Sequence, residues 1–183
     1  VIDALRVREI DLPPLKRVVV AIDPNVSTAE DANECGIICA GLGADDHAYI
    51  LDDVSGVMAP DEWARAAIML LRARRGDRIV AETNNGGDMV ENTLRTIDPL
   101  VPYRSVWASR GKVTRAEPVS ALYEQGRVHH VEPFPRLEDQ MCAFTVDFNR
   151  NEMGYSPDRV DALVWALTEL VIDPPRERRL LWA

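Results

Sequence analysis

The sequence predicts an α/β domain in which helices pack on the faces of one mixed sheet. Three observations lead there. Arg17-Val-Val-Val-Ala-Ile22 is an unbroken apolar run that stops abruptly at Asp23-Pro24-Asn25, the pattern of a strand buried on both faces. Two further strand-like runs, Gly36 to Leu42 and His47 to Val54, are joined through Gly43-Ala-Asp-Asp46, a connection short enough for an antiparallel pair. From Pro60 onward helical periodicity alternates with short strand-like runs, so the element order is βββαβαβα followed by further helices.

Taken in chain order, residues 1–16, with Pro13-Pro14 near their end, read as a lead-in, residues 17–173 as the folded domain and residues 174–183 as a tail. The chain starts at Val1 rather than Met, so it is expected to be a domain excised from a longer protein. Between Pro60 and Gly76 the residues Trp63, Ala67, Leu70 and Leu71 share one helical face, and Arg72, Arg74 and Arg75 occupy the last turns, where the helix dipole favours cations. Arg78 to Ala81 is a short strand entering Glu82-Thr-Asn-Asn-Gly-Gly87, and a helix is expected over Asp88 to Thr96. Tyr103 to Ala108 reads as a fifth strand and Arg115 to Gln125 as a helix. Val128 to Val131 reads as a short extra strand, Pro135 to Phe144 as a short helix, and residues 145–156 as a loop. Ser156-Pro157 supplies an N-cap and a proline at the first helical position for a last helix running to about Val171.

The 183 residues are 46% hydrophobic and 28% charged, the size and composition of one ordinary globular domain. No run reaches the ~18 consecutive apolar residues of a membrane span, so a membrane partner is not expected. Three cysteines (Cys35, Cys39, Cys142) are an odd number without a secretion signal, which points to a reducing cytoplasm. The net charge of −9 argues at first against a nucleic-acid partner. That charge is concentrated, however: the stretch from Asp23 to Glu62 holds no Lys or Arg, and the rest of the chain is close to balance. Between Arg104 and Arg136 the sequence turns mildly basic, with Arg110, Lys112 and Arg115 closely spaced.

Open α/β sheets place their chemistry beyond the carboxyl ends of their strands, which makes Asp23 and Glu82, each directly after an apolar run, candidates for sharing one edge. On the last helix Val160, Leu163, Val164, Leu167, Leu170 and Val171 form one apolar stripe. At about 100° per residue Asp161 falls at the border of that stripe and Asp158 roughly opposite it. Three carboxylates with few histidines are a donor set for Mg²⁺ or Mn²⁺ rather than zinc. Two such ions could activate water and stabilise a leaving oxygen in phosphodiester hydrolysis. Turn formation and helix capping are the competing uses of the same carboxylates. Cys35 and Cys39 are expected as packed thiols, His129 and His130 as structural or exposed, and Trp63 and Trp165 as packing residues.

An ordered series of short segments carries a family resemblance. Val-Val-Val-Ala-Ile-Asp23-Pro, Ala-Glu82-Thr-Asn-Asn-Gly-Gly, Arg-Ala-Glu-Pro-Val119 with Ala-Leu-Tyr-Glu-Gln-Gly-Arg-Val-His129, Leu-Glu-Asp-Gln-Met-Cys142 and Ser-Pro-Asp-Arg-Val-Asp-Ala-Leu-Val-Trp-Ala-Leu167 together resemble the C-terminal nuclease domain of tailed-phage large terminases, including those of gene transfer agents. The resemblance implies an RNase H-like mixed sheet of five strands with strand two antiparallel. It also implies a Mg²⁺- or Mn²⁺-dependent endonuclease, with two ions, that cuts concatemeric double-stranded DNA during genome packaging in the bacterial host cytoplasm. Asp23, Glu82 and Asp161 match the metal-binding catalytic acids. Asp158 stands where some members carry a metal-binding His, and the resemblance does not divide the roles between Asp158 and Asp161. Lys112, with Arg110 and Arg115, matches a region that approaches the DNA backbone. The packaging ATPase domain, portal protein and small terminase are the implied partners. No Gly-x-x-x-x-Gly-Lys-[Ser/Thr] occurs, so ATP hydrolysis by this chain is not expected. A non-catalytic docking module of the packaging motor and a transposase- or resolvase-type nuclease stand as alternatives.

Overall fold

The structure is a computed structural model that describes residues 2–24, 34–84, 87–109, 111–144 and 156–175. The expected loop over 145–155, Arg110 and the tail beyond Pro175 lie outside the described residues. Strands β1 (Leu15–Asp23), β2 (Gly36–Gly43) and β3 (Ala48–Asp53) are followed by α1 (Pro60–Ala73), β4 (Arg78–Glu82), α2 (Gly87–Ile97), β5 (Tyr103–Val106) and α3 (Lys112–Glu124). Then come β6 (Val128–His130), α4 (Pro135–Ala143) and α5 (Asp158–Leu167), the last continued by a π turn over Thr168–Ile172. Among the described residues no helix is long and apolar enough to cross a membrane.

The strands form one sheet in the order β5-β4-β1-β2-β3-β6. β2 runs antiparallel to both its neighbours, while β1–β4, β4–β5 and β3–β6 pair in parallel. The sheet therefore has six strands rather than five. Three residues with two histidines carry little strand signal of their own, and β6 exists because the outer edge of β3 needs partners. Ala48 N–H donates to the Arg127 carbonyl at 2.9 Å and Val131 N–H to the Ile50 carbonyl at 3.1 Å. β1 also begins two residues earlier than its apolar run, because Leu15 pairs with Gly43 at the far end of the hairpin.

Side chains alternate across β1. Val19 and Ala21 join a core beneath α3, α4 and α5, whereas Val18, Val20 and Ile22 join a second core beneath α1 and α2. Trp63, Cys35 and Cys39 are buried in this second core, as packing residues. His130 is buried at the opposite margin, its Nδ1 3.0 Å from Glu138 Oε1 and its Nε2 2.7 Å from the Tyr123 hydroxyl. Burial holds its pKa below the usual histidine value, so the neutral ring donates to Glu138 and accepts from Tyr123. Arg6 closes the network with two bonds to Glu138, at 3.1 and 2.8 Å, and bridges β6 through its backbone.

Helix α5 departs from the sequence pattern in two ways. It begins at Asp158 with Pro157 as N-cap, whose carbonyl accepts the first helical bond from the Asp161 N–H at 2.9 Å, and it has no side-chain cap bond because proline offers no side-chain acceptor. It is also buried all round rather than along one stripe, with Asp158 7%, Arg159 3% and Asp161 2% exposed. The sheet covers one side and α3 and α4 cover others, so positions read as facing solvent lie inside. Gly36, on β2, makes the close approach possible: a Cβ there would stand 2.0 Å from the Asp158 carbonyl oxygen. Gly36→Ala is expected to force α5 off the sheet and lower stability by roughly 3 kcal/mol, measured by chemical denaturation.

Candidate active site

Because β1 and β4 are adjacent and parallel, with Ile22 paired to Ala81, the next residues, Asp23 and Glu82, emerge together at the carboxyl edge of the sheet. The first turns of α5 lie across the same edge and bring Asp161 to them, with Asp158 close enough to act on Asp23 electrostatically. Burial, reinforced by the charge of Asp161, pushes the Asp23 carboxyl well above its ordinary pKa, against the pull of Lys112. Asp161 is likewise raised by burial, with Lys112 and Arg115 opposing. The four acids that the sequence marks as site residues thus share one field.

Helix α3 supplies the opposing charge. Lys112 is its first residue and Arg115 lies one turn on, so both point from the same end. Lys112 Nζ donates to Asp161 Oδ2. Arg115 Nη1 donates to Glu82 Oε2 at 2.9 Å, and Nη2 stands 3.6 Å from Asp161 Oδ1. Burial pulls the Lys112 pKa down, but Asp161 and Asp23 outweigh it and the net shift is upward. A lysine at a helix N-terminus is disfavoured by the helix dipole. Its ion pair with Asp161 accounts for the extra first turn of α3, which starts at Lys112 and not at Arg115.

Two further residues hold the acids in place. Trp165 Nε1 donates to Glu82 Oε2 at 2.8 Å, and the Arg115 guanidinium lies over the indole ring, 4.6 Å from its centroid. Trp165 is therefore part of the site and not only a packing residue. Its position one turn beyond Asp161 is the signal that marks it in the sequence. Arg159 anchors the first turn of α5: Nη1 donates to Asp53 Oδ2 at 2.5 Å, Nε to Glu34 Oε2 at 2.8 Å and Nη2 to the Ser55 carbonyl at 3.0 Å. Its own N–H donates to Gln140 Oε1 at 3.2 Å. Nothing in the local sequence distinguishes Arg159 from a surface arginine.

Asp23, Glu82, Asp158 and Asp161 are all hard oxygen donors, and no imidazole or thiol joins them. The three histidines lie around β3 and β6, and Cys35 and Cys39 lie in the second core. That chemistry fits Mg²⁺ or Mn²⁺. Among the described residues no three acidic or histidine groups converge on one point as they stand, because Lys112 and Arg115 engage the oxygens of Asp161 and Glu82. Burial keeps the Asp23 and Asp161 carboxyls above their ordinary pKa even with these cations beside them. The set fits a divalent cation once the Lys112 ammonium withdraws.

Comparison with known proteins follows this geometry. The large terminase nuclease from thermophilic phage G20c is 16% identical, with a TM-score of 0.60 over 86% of this chain and 92% of that chain. The nuclease domain of the large terminase subunit gp2 of bacterial virus Sf6 is 13% identical, with a TM-score of 0.61 over 86% of this chain and 89% of its own. The HK97 bacteriophage large terminase is 10% identical, with a TM-score of 0.62, and the likeness spans 85% of this chain and 40% of that larger one. These likenesses show the RNase H-like fold. The Sf6 domain has been solved with manganese or calcium in a variant form, and the G20c nuclease with zinc. No curated protein matches the sequence. Residues 20–170 match the family described as the terminase RNase H-like domain, and this chain belongs to that family.

Proposed function

We propose that this domain is a Mg²⁺- or Mn²⁺-dependent endonuclease that cuts concatemeric double-stranded viral DNA during genome packaging, by two-metal-ion phosphodiester hydrolysis. The observation that carries the reading is the meeting of Asp23 and Glu82, on adjacent parallel strand ends, with Asp161 from α5, under two cations from α3. Divalent ions at such a site would lower the pKa of a water, polarise the phosphoryl oxygen and neutralise the leaving oxygen. Asp23, Glu82 and Asp161 bind them, with Asp158 as a further ligand beside Asp23. Trp165 and Arg115 occupy one oxygen of Glu82 and fix its rotamer, leaving the other for coordination. Lys112, on a flexible stem, is free to swing from Asp161 towards a DNA phosphate. With Arg110 and Arg115 it forms the backbone-binding group. The nuclease works within a large terminase in the bacterial cytoplasm, where the ATPase domain, portal protein and small terminase are its partners and supply grip that a chain of charge −9 lacks.

Supercoiled plasmid should be nicked and linearised with Mn²⁺ or Mg²⁺ and left intact in EDTA. Asp23→Asn should abolish cleavage while its metal-free melting temperature stays equal to or above the parent's, since the substitution removes a buried like charge. A cleanly prepared variant that still cuts DNA would refute the assignment. Trp165→Phe keeps the ring under Arg115 but removes the N–H to Glu82. It should raise the Mn²⁺ concentration for half-maximal cleavage, and for half-maximal thermal stabilisation, by about tenfold.

A further inference from the structure

The structure carries an exposed tryptophan that the carboxylate chemistry does not use. Trp107 is 67% exposed, yet its backbone is firmly held. It directly follows Val106, the residue of β5 paired with Glu82. The Val106 carbonyl accepts both the Thr83 N–H, at 3.0 Å, and the Thr83 hydroxyl, at 3.1 Å. On the other side the Asn84 side chain clasps Ala108, donating to its carbonyl at 2.8 Å and accepting its N–H at 2.7 Å. The peptides flanking Trp107 are thus tied to the two residues that follow Glu82. The backbone that carries this exposed indole is thus fixed beside the strand end that carries Glu82.

The surroundings identify what it would meet. Trp107 lines a cleft of about 190 Å³ with Arg104, Trp165, Thr168 and Glu169. Glu169 is buried and receives three guanidiniums: Arg104 Nη1 at 2.6 Å, Arg17 Nη2 at 2.9 Å and Arg78 Nη1 at 3.7 Å. Asp173 also lines the cleft, and Arg104 is the cation among its lining residues; its side chain is 36% exposed and offers its remaining N–H groups to the cleft. An aromatic face beside a partly exposed guanidinium is the pairing that takes a nucleic-acid strand, base on ring and phosphate on cation.

We propose that Trp107 is a base-stacking platform for the DNA strand engaged at Asp23 and Glu82, and that Arg104 takes a backbone phosphate of that strand. This rests on the nuclease reading and adds to it: it places the strand along the β5 edge and requires at least one base to leave its stack beside the cut. A single-stranded or gapped segment would bind there better than intact duplex.

The test measures binding of a labelled single-stranded oligonucleotide and its blunt duplex by fluorescence anisotropy in EDTA, together with plasmid cleavage in Mn²⁺, for the parent, Trp107→Ala and Trp107→Phe. Stacking of one base is worth a factor of about 5 to 150 in affinity. Trp107→Ala should lose that factor for the single strand and less for the duplex, and Trp107→Phe should recover most of it. Melting temperatures should agree among all three, because the indole is exposed. Arg104→Gln should lessen the slope of log affinity against log salt by about 0.7 for the single strand. If the parent cuts plasmid and Trp107→Ala binds the single strand within twofold of it, the platform is refuted while the nuclease reading survives. If the parent neither binds nor cuts DNA, both fall.

Discussion

The structure turns on the burial of like-charged carboxylates drawn together at one edge of the sheet. Asp23 and Glu82 are brought side by side by parallel pairing, and Asp161 is carried to them by a helix that is itself buried. Burial raises the pKa of a carboxyl, like-charged neighbours add to it, and a counter-charge opposes it. The pKa values of Asp23 and Asp161 rise, and Lys112 and Arg115 come down from α3 to meet the acids. The same imbalance suits the site to divalent ions.

Holding this arrangement falls to residues that carry no chemistry themselves. Gly36 lets the first turn of α5 touch β2, and Arg159, 3% exposed, ties that turn to Asp53, Glu34 and the Ser55 carbonyl. Removing one partner of a buried ion pair usually costs more than the pair is worth, since the other charge is stranded. The geometry of the acids is therefore coupled to ion pairs on the far side of α5. Trp165 works more directly, with its N–H on Glu82 and its ring beneath Arg115. At the other end of the same helix system Glu169 gathers Arg17, Arg78 and Arg104, joining the starts of β1 and β4 to β5.

Much of the fold was legible because its signals are local. The uninterrupted run before Asp23, the hairpin at Gly43 to Asp46 and the helix opening at Pro60 follow from residue type and spacing. The sixth strand shows in the sequence only as a short extra run, since Val128–His130 is held by the open edge of β3 rather than by its own propensity. The burial of Asp158 and Arg159 was also missed: periodicity describes one face of a helix, whereas α5 is covered on several. Asp23, Glu82 and Asp161 were found at strand ends and at a stripe border. The pairing of Lys112 with Asp161 and the clasp of Trp165 on Glu82 span 49 and 83 residues, and the sole local trace of either is Trp165's place one turn beyond Asp161.

Sequence alone determined the kind of domain, the order of its elements and the acids that end its strands, because hydrophobic alternation, turn residues and helix periodicity act over a few neighbouring positions. Tertiary structure decided which of those acids share a field, which cations balance them, and that Trp107 is exposed on a backbone tied to the residues after Glu82. Those outcomes depend on contacts between distant segments, and their energies are set by burial and by distances of a few ångströms that only the assembled chain defines.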